Sequence, residues 1–322
     1  VERRARISST AGLEADEWGW GSEPIVLPLA FDEREWSAAF LALYLAECTG
    51  APVYVVHALV PGMRRDLSFF DFVREHAARL GVDLRLRQAE LRSSNRREIA
   101  KLIAASAREL DAQAIVMAGH KEGAMTRLLG RVSDTVAKLA ECRVLIAESG
   151  TMVREKLERP RRVLVAYLKE NLDPEPLIVA AAMTSSAWPA SLEILAVRFV
   201  RVPETVPLDS DELSRALRRL ERDFFQRISE ATKSLGRVIV PKLQPVREPG
   251  EDIAVYARDN QVDLILLPWG RPGRLRALGR PDDVVLVNRA PCPVVLVFGA
   301  KERRLSQQAG GLALIQPWSL KS

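Results

Sequence analysis

Residues 264–298 read LILLPWGRPGRLRALGRPDDVVLVNRAPCPVVLVF. The run 264–268 is short, apolar and unbroken, the mark of a strand buried on both faces. A loop rich in glycine and arginine follows. Residues 282–288 then read as a helix, with Asp282 and Asp283 at the end where the helix dipole favours acidic side chains. Residues 294–298 close the unit as a second apolar strand. Strand, loop, helix and strand in this order make a parallel pair with a crossover helix.

The same unit stands 150 residues earlier. Ala140-x-Cys142-x-Val144 recurs as Ala290-x-Cys292-x-Val294, and Ile103, Ala104, Ala107, Arg108 and Ile115 recur as Ile253, Ala254, Ala257, Arg258 and Ile265, each 150 later. Gly130-Arg131 returns as Gly279-Arg280 at a spacing of 149. Nearer the start of each half the spacing drifts, with Val53 matching Leu192 and Leu80-Gly81 matching Leu235-Gly236, because loops absorb insertions. A period this long means two whole domains, not a solenoid.

Each half alternates strand and helix. The first gives strands at 25–29, 53–59, 82–86, 114–118 and 144–147, and helices at 33–48, 66–80, 96–110 and 132–140. The second gives strands at 163–168, 192–198, 237–240, 263–268 and 294–298, and helices at 174–186, 210–234, 250–258 and 282–288. This is an α/β chain with a parallel sheet covered on both faces. Ligands of such sheets bind beyond the carboxyl ends of the strands, so the residues after the first and fourth strand of each half deserve inspection. Residues 1–22 and 301–322 lack a sustained period and read as a flexible arm and a tail, leaving domains at 23–150 and 160–300. Within the tail, 312–320 is mildly apolar and able to dock on a domain or a partner.

Composition narrows the function classes. The chain has 322 residues, 48% apolar and 28% charged, which excludes global disorder and matches two folded domains. No apolar run reaches the roughly 18 residues of a membrane span. Cys48, Cys142 and Cys292 are too scattered for a disulfide framework, and with His57, His76 and His120 far apart no zinc motif is formed. Sparse cysteines agree with a reducing cytosol. Residues 1–150 carry 20 Lys+Arg against 21 Asp+Glu and the rest 27 against 21, a basic surplus without a nucleic-acid motif. No Ser, His and Asp set at recognisable spacing accompanies His57, so the chain reads as non-enzymatic.

The endings LLGRVSDTVAKLAECRVLIAE (128–148) and LILLPWGRPGRLRALGRPDDVVLVNRAPCPVVLVF (264–298), above all the Ala-Pro-Cys-Pro-Val of 290–294, resemble the universal stress protein family. The resemblance covers about 23–149 and 160–299. It implies two repeated five-stranded parallel-sheet sandwiches of strand order 3-2-1-4-5, joined through their fifth strands as an intramolecular pseudo-dimer. ATP-binding members carry Gly-x2-Gly-x9-Gly-Ser/Thr after strand four. There the glycines let the backbone approach phosphates, and N–H groups at the helix start hold the anion. The first half reads Gly119-x3-Gly123-x6-Gly130-Arg131 and the second Gly270-x2-Gly273-x5-Gly279-Arg280. Both loops are shorter than the ATP form, both place Arg where Ser or Thr belongs, and neither half has the Asp expected just after strand one. The resemblance thus assigns Gly119, Gly123, Gly130, Arg131, Ser133, Gly270, Gly273, Arg274, Gly279 and Arg280 to the ligand site. It leaves open whether an adenine nucleotide binds there, and slow hydrolysis with it.

Arg131 and Arg280 have two readings, an anion clamp or ion pairs with Asp134 and Asp283. Arg271, Arg274, Arg276 and Arg280 crowd the second loop, either to hold an anion or as a solvated face, and make the second half the better anion site. Trp269 either stacks on a base or covers the apolar floor of the loop, and Cys142 and Cys292 read as small core residues. Leu-Pro-Leu-Ala after strand one and Trp-Gly after strand four resemble the branch found as tandem cytosolic tails of amino-acid permeases and related cation transporters. The chain begins at Val1, with Arg3, Arg4 and Arg6 close behind, as expected for a tail following a membrane domain. The expected partner is such a transporter domain in the same polypeptide or complex, with a further homodimer compatible.

Overall fold

The computed structural model describes residues 20–59, 68–91, 95–119, 131–149, 159–168, 173–184, 192–233, 239, 241–269 and 281–300. In chain order these form β1 (Ile25–Pro28), a 3-10 turn (Glu33–Glu35), α1 (Trp36–Thr49), β2 (Val53–Leu59), α2 (Ser68–Leu80), β3 (Leu84–Glu90), α3 (Arg96–Glu109), β4 (Ala114–Ala118), α4 (Arg131–Leu139) and β5 (Arg143–Glu148). The second half forms β6 (Arg162–Tyr167), α5 (Glu175–Ala182), β7 (Glu193–Arg201), α6 (Asp211–Lys233), β8 (Pro241–Val246), α7 (Pro249–Asp259), β9 (Leu264–Pro268), α8 (Pro281–Arg289) and β10 (Val294–Phe298).

All ten strands belong to one sheet, in the order β3-β2-β1-β4-β5-β10-β9-β6-β7-β8. The halves meet where β10 pairs antiparallel with β5, from Val294 opposite Glu148 to Phe298 opposite Val144. The central strands β1, β4, β5 and β10 are buried along their whole length, as their apolar runs dictate. Alternate side chains point to opposite faces, so each face carries one core and each core crosses the junction. Leu145, Ala147, Val295 and Val297 lie on one face, and Val144, Ile146, Leu296 and Phe298 on the other. The hydrophobic unit is therefore a sheet face of the whole molecule, not a domain.

The first helix of each half seals the junction. In α1 every residue except Glu47 and Thr49 is buried. A helix apolar all round must be covered on all sides, and α1 lies on the sheet, against α2 and against α5 of the other half. Polar links reinforce the contact. Arg143 Nε donates to Glu175 Oε2 at 2.6 Å, the two side chains only 10% and 18% exposed. Arg159 pairs with Glu47 across the halves, and the Cys48 thiol lies 3.5 Å from the Met183 carbonyl. The Arg143 guanidinium also lies over the Trp20 ring, 5.2 Å from its centre.

Four boundaries differ from the sequence reading. Trp20 is 2% exposed, and the Gly21 N–H donates to Gln113 Oε1, so these two residues belong to the fold and not to the arm. The third strand runs from Leu84 to Glu90 rather than 82–86, because pairing with β2 carries it through the polar residues Arg87, Gln88 and Glu90. In the second half the strand paired with β7 is Pro241–Val246, beyond the expected 237–240. Both are edge strands, where hydrogen bonding to one neighbour outlasts the apolar pattern, and prolines at 241 and 245 are tolerated because one side of an edge strand has no partner. The helix expected over 174–186 ends at Ala182. The arm before Trp20 and the tail from 301 lie outside the described residues.

Candidate functional site

The crevice that such a sheet leaves beyond the carboxyl ends of its strands falls, in the first half, at the adjacent strands β1 and β4. Around β1 its floor is built from the chain's own polar groups. Asp32 Oδ1 accepts from the Arg34 N–H at 2.9 Å, and Glu35 Oε2 accepts from the Asp32 N–H at 3.1 Å. This reciprocal pair is a capping box, here opening the 3-10 turn. The Glu35 carboxylate reaches further, accepting the Ala30 N–H on both oxygens at 3.0 and 2.9 Å. It is 3% exposed. Between the two amides that it holds stands Phe31, in the left-handed region at φ 65°. A non-glycine residue there costs about 1–2 kcal/mol, which the carboxylate grip and a stacking contact offset. The Phe31 ring lies on the His57 ring with centres 4.0 Å apart and planes 16° from parallel. His57 in turn is buried and directs Nδ1 at the Leu29 carbonyl, 2.8 Å away. A carbonyl only accepts, so the proton sits on Nδ1. His57 is a packed residue that fixes the strand end.

Beyond β4, Gly119 is buttressed by a second carboxylate. A Cβ added at Gly119 would sit 1.7 Å from Glu148 Oε1. The absence of a side chain there serves the approach of Glu148, which is 4% exposed at the end of β5. Two buried carboxylates thus border the crevice of the first half, and both disfavour a phosphate.

The crevice of the second half is built differently. The Trp269 N–H donates to the Val297 carbonyl as the Gly119 N–H does to Ala147. These bonds are 150 residues apart at both ends, so Trp269 and Phe298 stand where Gly119 and Glu148 stand in the first half. The first glycines of the two loops, Gly119 and Gly270, are therefore not equivalent positions. Trp269 is half-buried and packs on the apolar core, while the loop of 270–280 that follows it lies outside the described residues. Beyond β6, the Tyr167 hydroxyl donates to the Asp173 carbonyl at 3.3 Å, and Asp173 Oδ1 accepts the Glu175 N–H at 3.0 Å to start α5. Burial pushes the Tyr167 hydroxyl far up, with the Asp173 charge adding to it. Burial also pushes the Asp173 carboxyl up, against the pull of the Glu175 N–H.

Of the residues read from the sequence, Ser133 is in the first turn of α4 and buried at 2% exposure. Asp134 pairs with Lys138 at 2.5 Å. Gly123, Gly130, Gly270, Gly273, Arg274, Gly279 and Arg280, with Arg271 and Arg276, lie outside the described residues, as does the Arg131 side chain. Cys292 is buried, as read, and burial keeps its thiol protonated, with the Asp263 charge adding to the effect. Cys142 is only half-buried. Glu35, Phe31 and Glu148 were not singled out from the sequence. Asp32-x-x-Glu35 was the signal for the first pair. Glu148 had none, since only the fold brings it to Gly119.

The universal stress protein family model matches residues 21–148 and 160–297, and the chain belongs to that family, with two of its domains in tandem. No curated protein matches the chain in sequence. Among solved structures it is similar to a universal stress protein from Archaeoglobus fulgidus DSM 4304, at 18% identity and a TM-score of 0.53, covering 85% of this chain and 98% of that one. It is also similar to the cytoplasmic domain of a prokaryotic cation chloride cotransporter, at 12% identity and a TM-score of 0.50, covering 88% of this chain and 98% of that one. At these identities the likeness concerns the fold.

Proposed function

We propose that this chain is a non-enzymatic regulatory and sensory module of tandem universal stress protein domains, working in the cytosol as the tail of an amino-acid or cation transporter. The observation that carries the reading is the crevice of the first half. Its backbone donors at Ala30 and Asp32 are held by Glu35, and its glycine by Glu148. A domain that fills its own ligand crevice contributes shape rather than turnover. The single sheet and the sealed seam suit a rigid body that transmits a change from one face to another. The cytoplasmic domain of the cotransporter, which is similar over nearly its whole length, supports the transporter context.

The reading is tested on the gene and in a transport assay. The reading frame extended upstream of Val1 should encode about twelve apolar spans of about 20 residues each. Removing 20–300 from that protein should change flux while leaving it in the membrane. A start codon close to Val1 with no spans upstream overturns the proposal.

A second reading has the second half bind an adenine nucleotide or another small anion through Gly270, Gly273, Arg274, Gly279 and Arg280. The presence of Phe298 where the first half has Glu148 favours it, because no carboxylate stands at that position. Titration calorimetry with ATP, AMP and cyclic AMP should then give saturable heat that Arg280→Ala abolishes and Glu35→Gln leaves intact. No heat with any of the three removes this reading.

A further inference from the structure

The two halves differ on the outer face as well. In the second half α7 and α8 touch at Gly250, where an added Cβ would sit 2.3 Å from the Asp282 carbonyl oxygen. Charges around that contact are internally matched. Glu251 pairs with Arg289 at 3.7 Å, and the Arg247 guanidinium donates to the carbonyls of Val202, Pro203 and Val206. The position of Gly250 is taken in the first half by Ala100, whose methyl group is fully buried and stands between α3 and α4. There the helices border an open groove of about 870 Å³.

Among the described residues, four cations line this groove. Arg96, Arg97 and Lys101 come from α3 and Lys138 from α4. Lys101 replaces the Glu251 of the second half, a reversal of charge, and Lys138 replaces Asn288. Lys138 pairs with Asp134 on its own helix at 2.5 Å, and Glu141, just past α4, pairs with Arg108 of α3 at 2.9 Å. Asn95 and Thr135 add neutral polar groups to the lining, and Leu139, at 37% exposure, adds an apolar step. Asn95 is at the same time the cap of α3, its Oδ1 accepting the Arg97 N–H at 2.9 Å, and Arg96 and Arg97 in the first turn are exposed.

We propose that the α3–α4 groove of the first half is a docking site for an acidic peptide segment of a partner protein. Three features select that chemistry. A groove open along its length cannot enclose a small anion, as a metabolite site must. Among the described residues the lining has no aromatic ring on which a nucleic-acid base would stack. Guanidinium and ammonium groups spaced over two helices, with an apolar step among them, match a chain that alternates carboxylates with carbon. The site is on the outer helical layer, separate from the crevices at the strand ends.

The test is fluorescence anisotropy of fluorescein-labelled hexaglutamate with the whole chain at about 50 mM salt, where exposed charge pairs are weakly screened. Saturable binding that weakens with salt is expected. Arg97→Glu with Lys101→Glu should weaken it about tenfold or more, and Arg219→Glu with Arg222→Glu on α6 less than about twofold. Unlabelled oligothymidylate should displace the peptide no better than its charge predicts. Absence of saturable binding, equal loss in both double variants, or preferential binding of oligothymidylate overturns the proposal.

Discussion

The two strand-end crevices descend from one duplicated unit and have been filled in different ways. In the first half, carboxylates do the filling: Glu35 takes the amides beside Phe31, and Glu148 takes the space that Gly119 leaves. In the second half, rings do it: Trp269 replaces the glycine, Phe298 replaces the glutamate, and Tyr167 replaces Leu29 at the end of the first strand. The two solutions differ in charge. Duplication thus frees one copy to drift while the shared sheet keeps both folded.

The seam that makes the two crevices one body is the first place to break the comparison. Glu175→Gln leaves Arg143 without its buried charge partner, and should cost about 3 kcal/mol, at the low end for such pairs because both side chains keep some exposure. Urea unfolding should then show either a lower single midpoint or a split into two transitions. An unchanged midpoint would mean that the apolar seam alone fixes the halves.

Next in size is the carboxylate grip of the first half. Glu35→Gln keeps the shape but loses charge-assisted bonds to Ala30 and Asp32, and should cost about 2 kcal/mol by thermal or urea denaturation. The matching probe on β4 is Gly119→Ala, which forces the Glu148 side chain aside, for about 1–2 kcal/mol. The double variant Gly119→Ala, Glu148→Ala should recover part of that loss, because it imitates the second half, where a larger residue is accommodated beside Phe298. Additive losses in the double variant would show that Gly119 and Glu148 are not coupled.

The smallest effect concerns His76, which packs against Phe40 and Phe72 beside the seam. Burial pushes its pKa below the ordinary value, and the charges of Arg79 and Arg159 add to the shift against Glu75. The unfolded chain therefore takes up a proton at a higher pH than the folded one. Stability should be full above about pH 6.5 and decline as pH falls below it. His76→Phe should flatten that decline, and an unchanged slope would place the effect elsewhere.

Much of the fold was legible in the residues. Apolar runs such as 114–118 and 264–268 can only be strands buried on both faces, and the spacing of 150 announced a duplication. Where the pattern weakened, the reading slipped: β3 and β8 lie at the edges of the sheet, and their extents come from hydrogen bonds to a neighbour, which leave little trace in hydropathy. The glycine loops were legible as loops, whereas Asp32-x-x-Glu35, an acidic pair at capping-box spacing, was not read as a cap. That the cap also closes a crevice was not legible, because the amide of Ala30 lies before the box and is reached only after the chain has turned.

The sequence by itself determined the class of fold, the number of units and the boundaries of most elements, since each rests on local periodicity. Joining of the halves through their fifth strands was an expectation of the resemblance; tertiary structure alone decided that each core crosses the junction and which side chain fills each crevice. Those outcomes depend on contacts between residues far apart in the chain, such as Glu148 with Gly119, Arg143 with Glu175 and Gly250 with Asp282. Such contacts are set by packing and desolvation, and local sequence does not encode distance.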